Sequence, residues 1–144
     1  MGLNQLIGEK TILRIDANQG WSKEEALPVL TALSVYDIQF CEQPMHKYYD
    51  DYLPALCAAS PIKIMADESV FTHHEARKLI QQKACHYINI KFSKSGGIHE
   101  AIKIHDIGTA NGIACMMGGM LESRLALTAK VHFAMAHDNI HFYD

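Results

Sequence analysis

Short apolar runs, each ending in a polar residue, recur along the chain at a nearly constant spacing. The first four runs end at Asp16, Glu42, Asp67 and Lys91, which lie 24 to 26 residues apart. The runs are rich in isoleucine and too short for helices, so they predict β-strands. The six predicted strands cover residues 11–16, 37–42, 62–67, 87–91, 112–117 and 139–143.

The segments between these strands carry the start signals and the apolar spacing of helices. Ser22 with Glu25, and Thr72 with Glu75, match the Ser/Thr-x-x-Glu capping box, in which side chains satisfy the free amides of a first helical turn. These two boxes predict helices that begin at about Lys23 and His73. Apolar spacing predicts three further helices, over residues 50–59, 98–110 and 121–137.

Strands that alternate with helices predict an α/β fold with parallel strands and right-handed crossovers. A flavodoxin-like doubly wound sheet suits the chain length, whereas a complete (β/α)8 barrel needs about 250 residues. Side-chain parity favours the barrel, because Arg14 with Asp16 and Asn89 with Lys91 put polar groups on one sheet face. Both faces of a doubly wound sheet are apolar and covered by helices. We therefore expect residues 1–144 to form one partial (β/α)8 TIM-type barrel domain.

The composition excludes several classes of function. The chain has 144 residues, 49% of them apolar, and a net charge of −3 with no basic run, which argues against a nucleic-acid partner. Its four cysteines have no Cys-x-x-Cys spacing and are expected to be reduced and buried. Residues 1–10 show no secretory leader, and charged residues interrupt the most apolar stretch, 121–136. We expect a cytoplasmic protein that does not bind or cross a membrane.

The polar residues that end the strands define a candidate site, since the carboxyl ends of parallel strands share one rim. Asp16, Glu42 and Asp67 would meet there and repel one another unless a cation lay between them, and an all-oxygen ligand set suits Mg²⁺. Lys91 ends the next strand, where a partly desolvated lysine beside a cation can act as a base. The alternative to a metal ligand is that each acid only caps the helix that follows its strand. Polar residues at the same position of four successive strands favour the metal site over helix capping.

Four segments in this order resemble the enolase superfamily. They are similar to its muconate-lactonizing and mandelate racemase type of C-terminal barrel domain, and most closely to dipeptide (Ala-Glu) epimerases. The segments are Ile-Asp-Ala-Asn-Gln-Gly-Trp at 15–21, Cys-Glu-Gln-Pro at 41–44, Ala-Asp-Glu-Ser at 66–69 and Asn-Ile-Lys-Phe-Ser-Lys-Ser-Gly-Gly at 89–97.

The resemblance implies a Mg²⁺-dependent racemase or epimerase that removes the α-proton of a carboxylate substrate and passes through an enediolate. It implies that Asp16, Glu42 and Asp67 are the Mg²⁺ ligands and that Lys91 is the catalytic lysine. In the family a second base comes from a Lys-x-Lys pattern on the second barrel strand, and no such pattern precedes Asp16. We therefore expect barrel strands three to eight, without the first two strands and the N-terminal capping domain. The chain alone is expected to be inactive in epimerisation.

Three further residues are expected to contact the substrate. Asp144 lies where the Asp-x-Asp motif of dipeptide epimerases begins, and Glu122 belongs to a segment, 116–123, similar to their seventh strand. Asn18 lies two residues after Asp16 and is expected to contact the substrate or to orient that carboxylate. Lys94, in contrast, is expected to be a solvent-exposed lysine.

Other functions remain open at this point. A cycloisomerase or o-succinylbenzoate synthase of the same branch would share these motifs, because the motifs determine which intermediate forms and not which product it gives. A receiver-like Mg²⁺-binding signalling domain and a non-catalytic fragment are the alternatives from other classes. The open barrel is expected to expose apolar lumen residues, such as Ile12, Phe40 and Met65, and two strand edges. Those surfaces predict self-association, or a partner segment that supplies the missing strands.

Overall fold

The computed structural model describes residues 11–144, which form six parallel strands connected by helices. The strands are β1 Leu13–Asp16, β2 Ile38–Glu42, β3 Ile64–Ala66, β4 Tyr87–Ile90, β5 Ala114–Met117 and β6 Ile140–Tyr143. The helices are α1 Lys23–Leu33, α2 Leu53–Ala59, α3 His73–Gln81, α4 Phe92–Ser95, α5 Ile98–Ala110 and α6 Arg124–Ala136. Each predicted strand and helix is present at nearly the predicted position.

Both predicted capping boxes are present at the starts of α1 and α3. The Ser22 hydroxyl accepts a hydrogen bond from the Glu25 backbone N–H, and the Glu25 carboxylate accepts one from the Ser22 N–H at 3.0 Å. Thr72 and Glu75 make the same reciprocal pair. The helix predicted at residue 50 begins only at Leu53, because a 3₁₀ helix over Lys47–Tyr52 precedes it and a proline occupies its first turn.

The strands pair in sequence order, β1-β2-β3-β4-β5-β6, and every pair is parallel. A doubly wound sheet reverses its strand order at a switch point, whereas a barrel winds in one direction. The sheet is therefore part of a (β/α) barrel, as predicted, and the receiver-like alternative is wrong.

The sheet curls strongly, so that strands far apart in its order touch across the concave face. The rings of Phe40 on β2, Tyr87 on β4 and Phe142 on β6 pack edge to face with centroids 5.0 to 5.8 Å apart. In a flat sheet, strands four positions apart would be about 19 Å from one another. Three rings from alternate strands form one layer of side chains, which is how TIM barrels fill their interior.

The prediction that apolar lumen residues are exposed is wrong for two of its three residues. Ile12 is 64% exposed, as predicted, but Phe40 is 2% exposed and Met65 is fully buried. Both side chains belong to the cluster that contains the aromatic layer. The Arg14 guanidinium, on β1, packs over this layer at 5.4 Å from the centre of the Phe40 ring and 5.1 Å from the centre of the Phe142 ring.

A second and larger core lies between the convex face of the sheet and the surrounding helices. It includes all four cysteines, which are free and buried as predicted. Helical side chains at the centre of this core are Ala26, Leu30, Leu56, Leu79 and Ile104. No helix in the described range 11–144 is long and apolar enough to cross a membrane. The helices thus hold the strands in place while the strand ends remain available for chemistry.

Candidate active site

The predicted site residues lie at the carboxyl ends of neighbouring strands. Asp16 and Glu42 are register partners at the ends of β1 and β2, and Glu42 pairs in turn with Met65 on β3. Asp67 lies two residues after Met65 and therefore points to the same concave face. Lys91 follows the end of β4. The barrel thus brings the four strand-end residues to one rim.

The turn after β1 orients the Asp16 carboxylate. Asp16 Oδ1 accepts a hydrogen bond of 2.7 Å from the backbone N–H of Asn18, which has a left-handed backbone with φ of 47°. Gly20 is required in the same turn, because a Cβ there would lie 2.8 Å from the carbonyl oxygen of Ala17. Asn18 therefore orients Asp16 through its backbone, and its side chain faces the neighbouring cleft.

Glu42 is a buried carboxylate with one strong hydrogen bond. Asn89 Nδ2 donates to Glu42 Oε1 at 2.6 Å across the concave face. The pKa of Glu42 is raised to about 7, chiefly by burial and also by the charges of Asp67 and Asp16, which together outweigh the Asn89 hydrogen bond and Lys91. The acids at this rim repel one another, so positive charge placed among them is stabilising.

Two lysines bind the Asp67 carboxylate, one on each oxygen. Lys91 Nζ donates to Asp67 Oδ2 at 2.6 Å and lies 4.0 Å from Glu42 Oε1. Lys94 Nζ donates to Asp67 Oδ1. Burial alone would raise the pKa of Asp67, but Lys94 and Lys91 outweigh it and lower the pKa. Burial likewise favours the neutral form of Lys91, and its contacts with Asp67 and Glu42 overcome this and raise its pKa.

The prediction that Lys94 is solvent-exposed is wrong. Its side chain is only 6% exposed, and its ammonium also donates to the carbonyl oxygens of Asp67 at 2.6 Å and Asn89 at 2.9 Å. Burial lowers the pKa of Lys94 despite the nearby Asp67 charge. The short helix α4 causes this placement, since it turns the chain directly after Lys91 and directs the residue three positions later into the rim.

Sequence reasoning missed the supporting roles of Asn89 and Gln43. Asn89 shares its strand parity with Lys91, and that signal alone places it on the site face. Gln43 is buried, and its Oε1 accepts from the backbone N–H groups of Asp67 at 2.9 Å and Ser69 at 3.3 Å. The Gln43 side chain thereby holds the loop that carries Asp67, which no sequence pattern indicates.

Two clefts are lined by residues of this rim. The larger has a volume of about 740 Å³, and the smaller, of about 180 Å³, extends between β1 and β6. Site residues that line the larger cleft are Asn18, Asp67, Glu68, Lys91, Lys94 and Glu122. The smaller one is lined by Arg14, Asp16, Glu42 and Asp144, among others. All predicted site residues therefore surround one pair of clefts.

Glu122 and Asp144 have different surroundings in these clefts. The Glu122 carboxylate is buried in an ion pair with Lys130, whose Nζ also donates to the carbonyl oxygen of Gly118 at 2.6 Å. Asp144 is exposed, and its backbone N–H contacts the carbonyl oxygen of Met117 at 3.4 Å. The substrate contacts predicted for Glu122 and Asp144 remain predictions.

The fit of these residues to a metal ion is mixed. Between residues 11 and 144, no group of three or more His, Cys, Asp and Glu side chains is arranged to hold a metal ion. At Asp67, ammonium groups bind both carboxylate oxygens. The donor chemistry nevertheless suits Mg²⁺, because the acids are oxygen ligands that repel one another. Glu68 Oε2 is also buried there without a hydrogen-bond partner in the described part of the chain.

Comparison with known proteins places these motifs in a family. A sequence model described as enolase C-terminal domain-like matches residues 3–144. The chain is 43% identical over 142 residues to D-Ala-D/L-Ala epimerase of Cytophaga hutchinsonii, covering 99% of this chain and 39% of the relative. It is 40% identical over 146 residues to L-Ala-D/L-Glu epimerase of Bacillus subtilis, with the same coverage of 99% and 39%.

A solved structure extends the similarity to three dimensions. The dipeptide epimerase of Cytophaga hutchinsonii, complexed with Mg and the dipeptide D-Ala-L-Val, matches with a TM-score of 0.95 at 43% identity. The match covers 98% of this chain and 38% of that structure. The chain thus spans about two fifths of the length of these relatives.

Proposed function

The chain belongs to the enolase C-terminal domain-like family, and on that premise we propose that it carries the proton-transfer centre of a Mg²⁺-dependent dipeptide epimerase. The position of Lys91 beside the oxygens of Asp67 and Glu42, at the wall of the larger cleft, is the observation that carries the proposal. The names of its relatives support a dipeptide as the substrate. Cycloisomerase and synthase activities are less well supported by those names.

Lys91 is the residue proposed to exchange the proton with the substrate. It lines the cleft with a side chain that is 14% exposed, and Asp67 accepts its one hydrogen bond within the described chain. In the proposed reaction the Lys91 ammonium first releases a proton to water, and its neutral Nζ then takes the proton from the α-carbon, while the electron pair of that C–H bond moves into the adjacent carboxylate, giving an enediolate. Return of a proton, or of a deuteron that Lys91 has exchanged with the solvent, restores the starting configuration, because Lys91 reaches one face of the carbon.

Three carboxylates, Asp16, Glu42 and Asp67, are proposed to hold Mg²⁺. When bound, the ion would supply positive charge beside the substrate carboxylate, where negative charge develops as the proton leaves. The turn at Asn18 and the side chain of Asn89 keep Asp16 and Glu42 oriented toward the rim.

The experiment is α-proton exchange in D₂O with the purified chain, Mg²⁺ and an Ala-Glu dipeptide, followed by NMR. We expect deuterium at the α-carbon of one epimer, without inversion, and loss of exchange on removal of Mg²⁺ or in Lys91→Ala. Lys103→Ala is the matched control, because Lys103 is a half-exposed lysine on α5 that pairs with Glu100. Exchange that survives Lys91→Ala, or that is absent in the wild-type chain, would contradict the proposal.

Inversion needs a base on the opposite face, and we propose that a polypeptide supplying further (β/α) units provides it. Within residues 11–144, the outer strands β1 and β6 each pair with one neighbouring strand, and α6 presents exposed apolar side chains at Leu125, Val131 and Met135. Such surfaces bind other chains. Sedimentation of the chain alone distinguishes a self-associating chain from a monomer. Inversion of the substrate that appears when the N-terminal half of a relative is added would support the proposed partner. A cytoplasmic location is part of the same proposal.

A further inference from the structure

Two ammonium groups share the Asp67 carboxylate, but their surroundings differ. Lys94 donates to three acceptors, Asp67 Oδ1, the Asp67 carbonyl oxygen and the Asn89 carbonyl oxygen. An ammonium group has three N–H donors, so the hydrogen-bonding capacity of Lys94 is complete. Moving this side chain would break three hydrogen bonds at a buried position, one of them to a carboxylate oxygen, which is costly. Lys94 is therefore a fixed component of the rim.

Lys91 is held much less firmly. Among the described residues, Asp67 Oδ2 accepts its one hydrogen bond, at 2.6 Å, and Glu42 Oε1 lies 4.0 Å away, beyond hydrogen-bond distance. Its ammonium lies between the carboxylates of β2 and of the loop after β3, on the side that faces the larger cleft. This is the position where positive charge best offsets the repulsion between Glu42 and Asp67. Lys91 can leave it for the cleft without abandoning a buried carbonyl group.

We propose that the two lysines act in opposite directions on divalent-cation binding. Lys91 is an internal cation that competes with a divalent ion for Asp67 Oδ2 and for the charge of Glu42. Lys94 is a positioning residue that holds Asp67 by Oδ1 and keeps Oδ2 directed to the rim. The inference rests on the proposed function in one respect, since it takes Asp16, Glu42 and Asp67 as the ligand set.

The competition has a consequence for the order of events at the site. If a divalent ion were to bind Asp67 Oδ2, the Lys91 ammonium would have to leave that oxygen, and the cleft is the space into which its side chain would turn. Ion binding would thus deliver Lys91 to the substrate, whereas without the ion Lys91 stays paired with Asp67. One carboxylate oxygen thereby couples occupancy of the cation site to the availability of the proposed base.

The test is Mn²⁺ binding to the full chain, measured by calorimetry without substrate, for the wild type, Lys91→Met and Lys94→Met. Methionine keeps much of the lysine stem and removes the charge. We expect Lys91→Met to bind Mn²⁺ about tenfold more tightly, because no ammonium group then competes for Asp67 Oδ2 and for the charge of Glu42. Lys94→Met is expected to bind about tenfold more weakly, because Asp67 is no longer oriented.

Lys130→Met is the matched control for the loss of a buried lysine. Lys130 is as buried as Lys94, forms an ion pair with Glu122 and donates to a carbonyl oxygen, but it does not touch Asp67. Its removal should lower the thermal midpoint and leave Mn²⁺ affinity unchanged. A merely structural role of Lys94 would give this same pattern, and that result would overturn the positioning role. If Lys94→Met does not fold, Lys94→Gln, which retains an N–H donor without the charge, replaces it.

The signs of the two effects decide the inference. Equal tightening by both lysine substitutions would show charge repulsion alone, and unchanged or weaker binding in Lys91→Met would remove the competition. If the predicted signs appear but the wild-type chain exchanges no α-proton, the proposed function fails and the inference stands. If neither the wild type nor Lys91→Met binds Mn²⁺, both are wrong.

Discussion

Gly118 is the position at which one added methyl group should disturb the site most directly. A Cβ at this residue would lie 2.2 Å from Asn89 Oδ1 and 2.6 Å from Asn89 Nδ2. Asn89 Nδ2 donates the 2.6 Å hydrogen bond to Glu42 Oε1, so the amide cannot move away and keep that bond. We predict that Gly118→Ala displaces Asn89 and leaves the buried Glu42 carboxylate without this donor.

The magnitude follows from two overlapping costs. A hydrogen bond to a charged group contributes about 1.5–3 kcal/mol, and overpacking a well-filled site costs about 1–3 kcal/mol. The same movement of Asn89 relieves the overlap and breaks the bond, so the costs do not simply add. We expect Gly118→Ala to lower the free energy of unfolding by about 2–4 kcal/mol, a large part of the roughly 5–15 kcal/mol typical of a domain.

The assay is urea unfolding followed by the fluorescence of Trp21, the one tryptophan in the sequence, which packs against the core near the rim. Gly119→Ala is the neighbouring control, because among the described residues its Cβ would meet only the Asp144 carbonyl group, with the oxygen at 3.4 Å. Its free energy of unfolding should stay within about 0.5 kcal/mol of wild type.

A double-mutant cycle isolates the Asn89 contact. In an Asn89→Ala background the overlap is absent, so Gly118→Ala should cost much less than in the wild type. Unchanged stability in Gly118→Ala would refute the predicted clash. An equal cost of Gly118→Ala in the wild type and in the Asn89→Ala background would refute it as well.

Four further predictions concern other parts of the molecule. Hydrogen bonds from the backbone and side chain of His73 lower the pKa of Glu100 to about 2, so the stability that Glu100 adds is present above pH 4.5 and lost as the pH falls toward 2. Acid titration of unfolding should therefore be shallower in Glu100→Gln. Thr72→Ala removes the α3 cap and should lower stability by about 1 kcal/mol in urea unfolding, and an unchanged midpoint would contradict the capping role. Burial raises the pKa of the thiols of Cys41, Cys57, Cys85 and Cys115 to about 12. A thiol reagent at about pH 8 should therefore label the native chain only as fast as the chain unfolds locally. Rapid labelling of even one of these thiols would contradict its burial in the core. Crystals grown with Mn²⁺ should show one anomalous peak bound by Asp16, Glu42 and Asp67 together, and a peak that excludes any of the three would contradict the ligand set.

Local patterns along the chain were sufficient to predict most of the architecture. The capping boxes at Ser22 and Thr72 predicted two helix starts, because a cap satisfies amides within its own turn and needs no distant residue. The regular spacing of strand ends predicted parallel strands with a shared rim, since each strand and its helix form a similar unit. Parity along β1 and β4 distinguished the barrel from the doubly wound sheet. The caps and the strand parity depend on neighbours within a few residues, and the spacing of strand ends depends on the length of one strand-helix unit.

The contacts that shape the site were decided only by the tertiary structure. Phe40 and Met65 are buried because rings from three alternate strands meet across the curled sheet, which no single strand predicts. Lys94 appears polar and exposed in sequence, yet α4 turns it onto the Asp67 carboxylate, where three acceptors stabilise its buried charge. Burial of a charge depends on partners that are distant in sequence and become neighbours only after folding. The sequence by itself therefore determined that Asp16, Glu42, Asp67 and Lys91 reach the rim, and the tertiary structure decided that Lys94 joins them and which of these residues pair there.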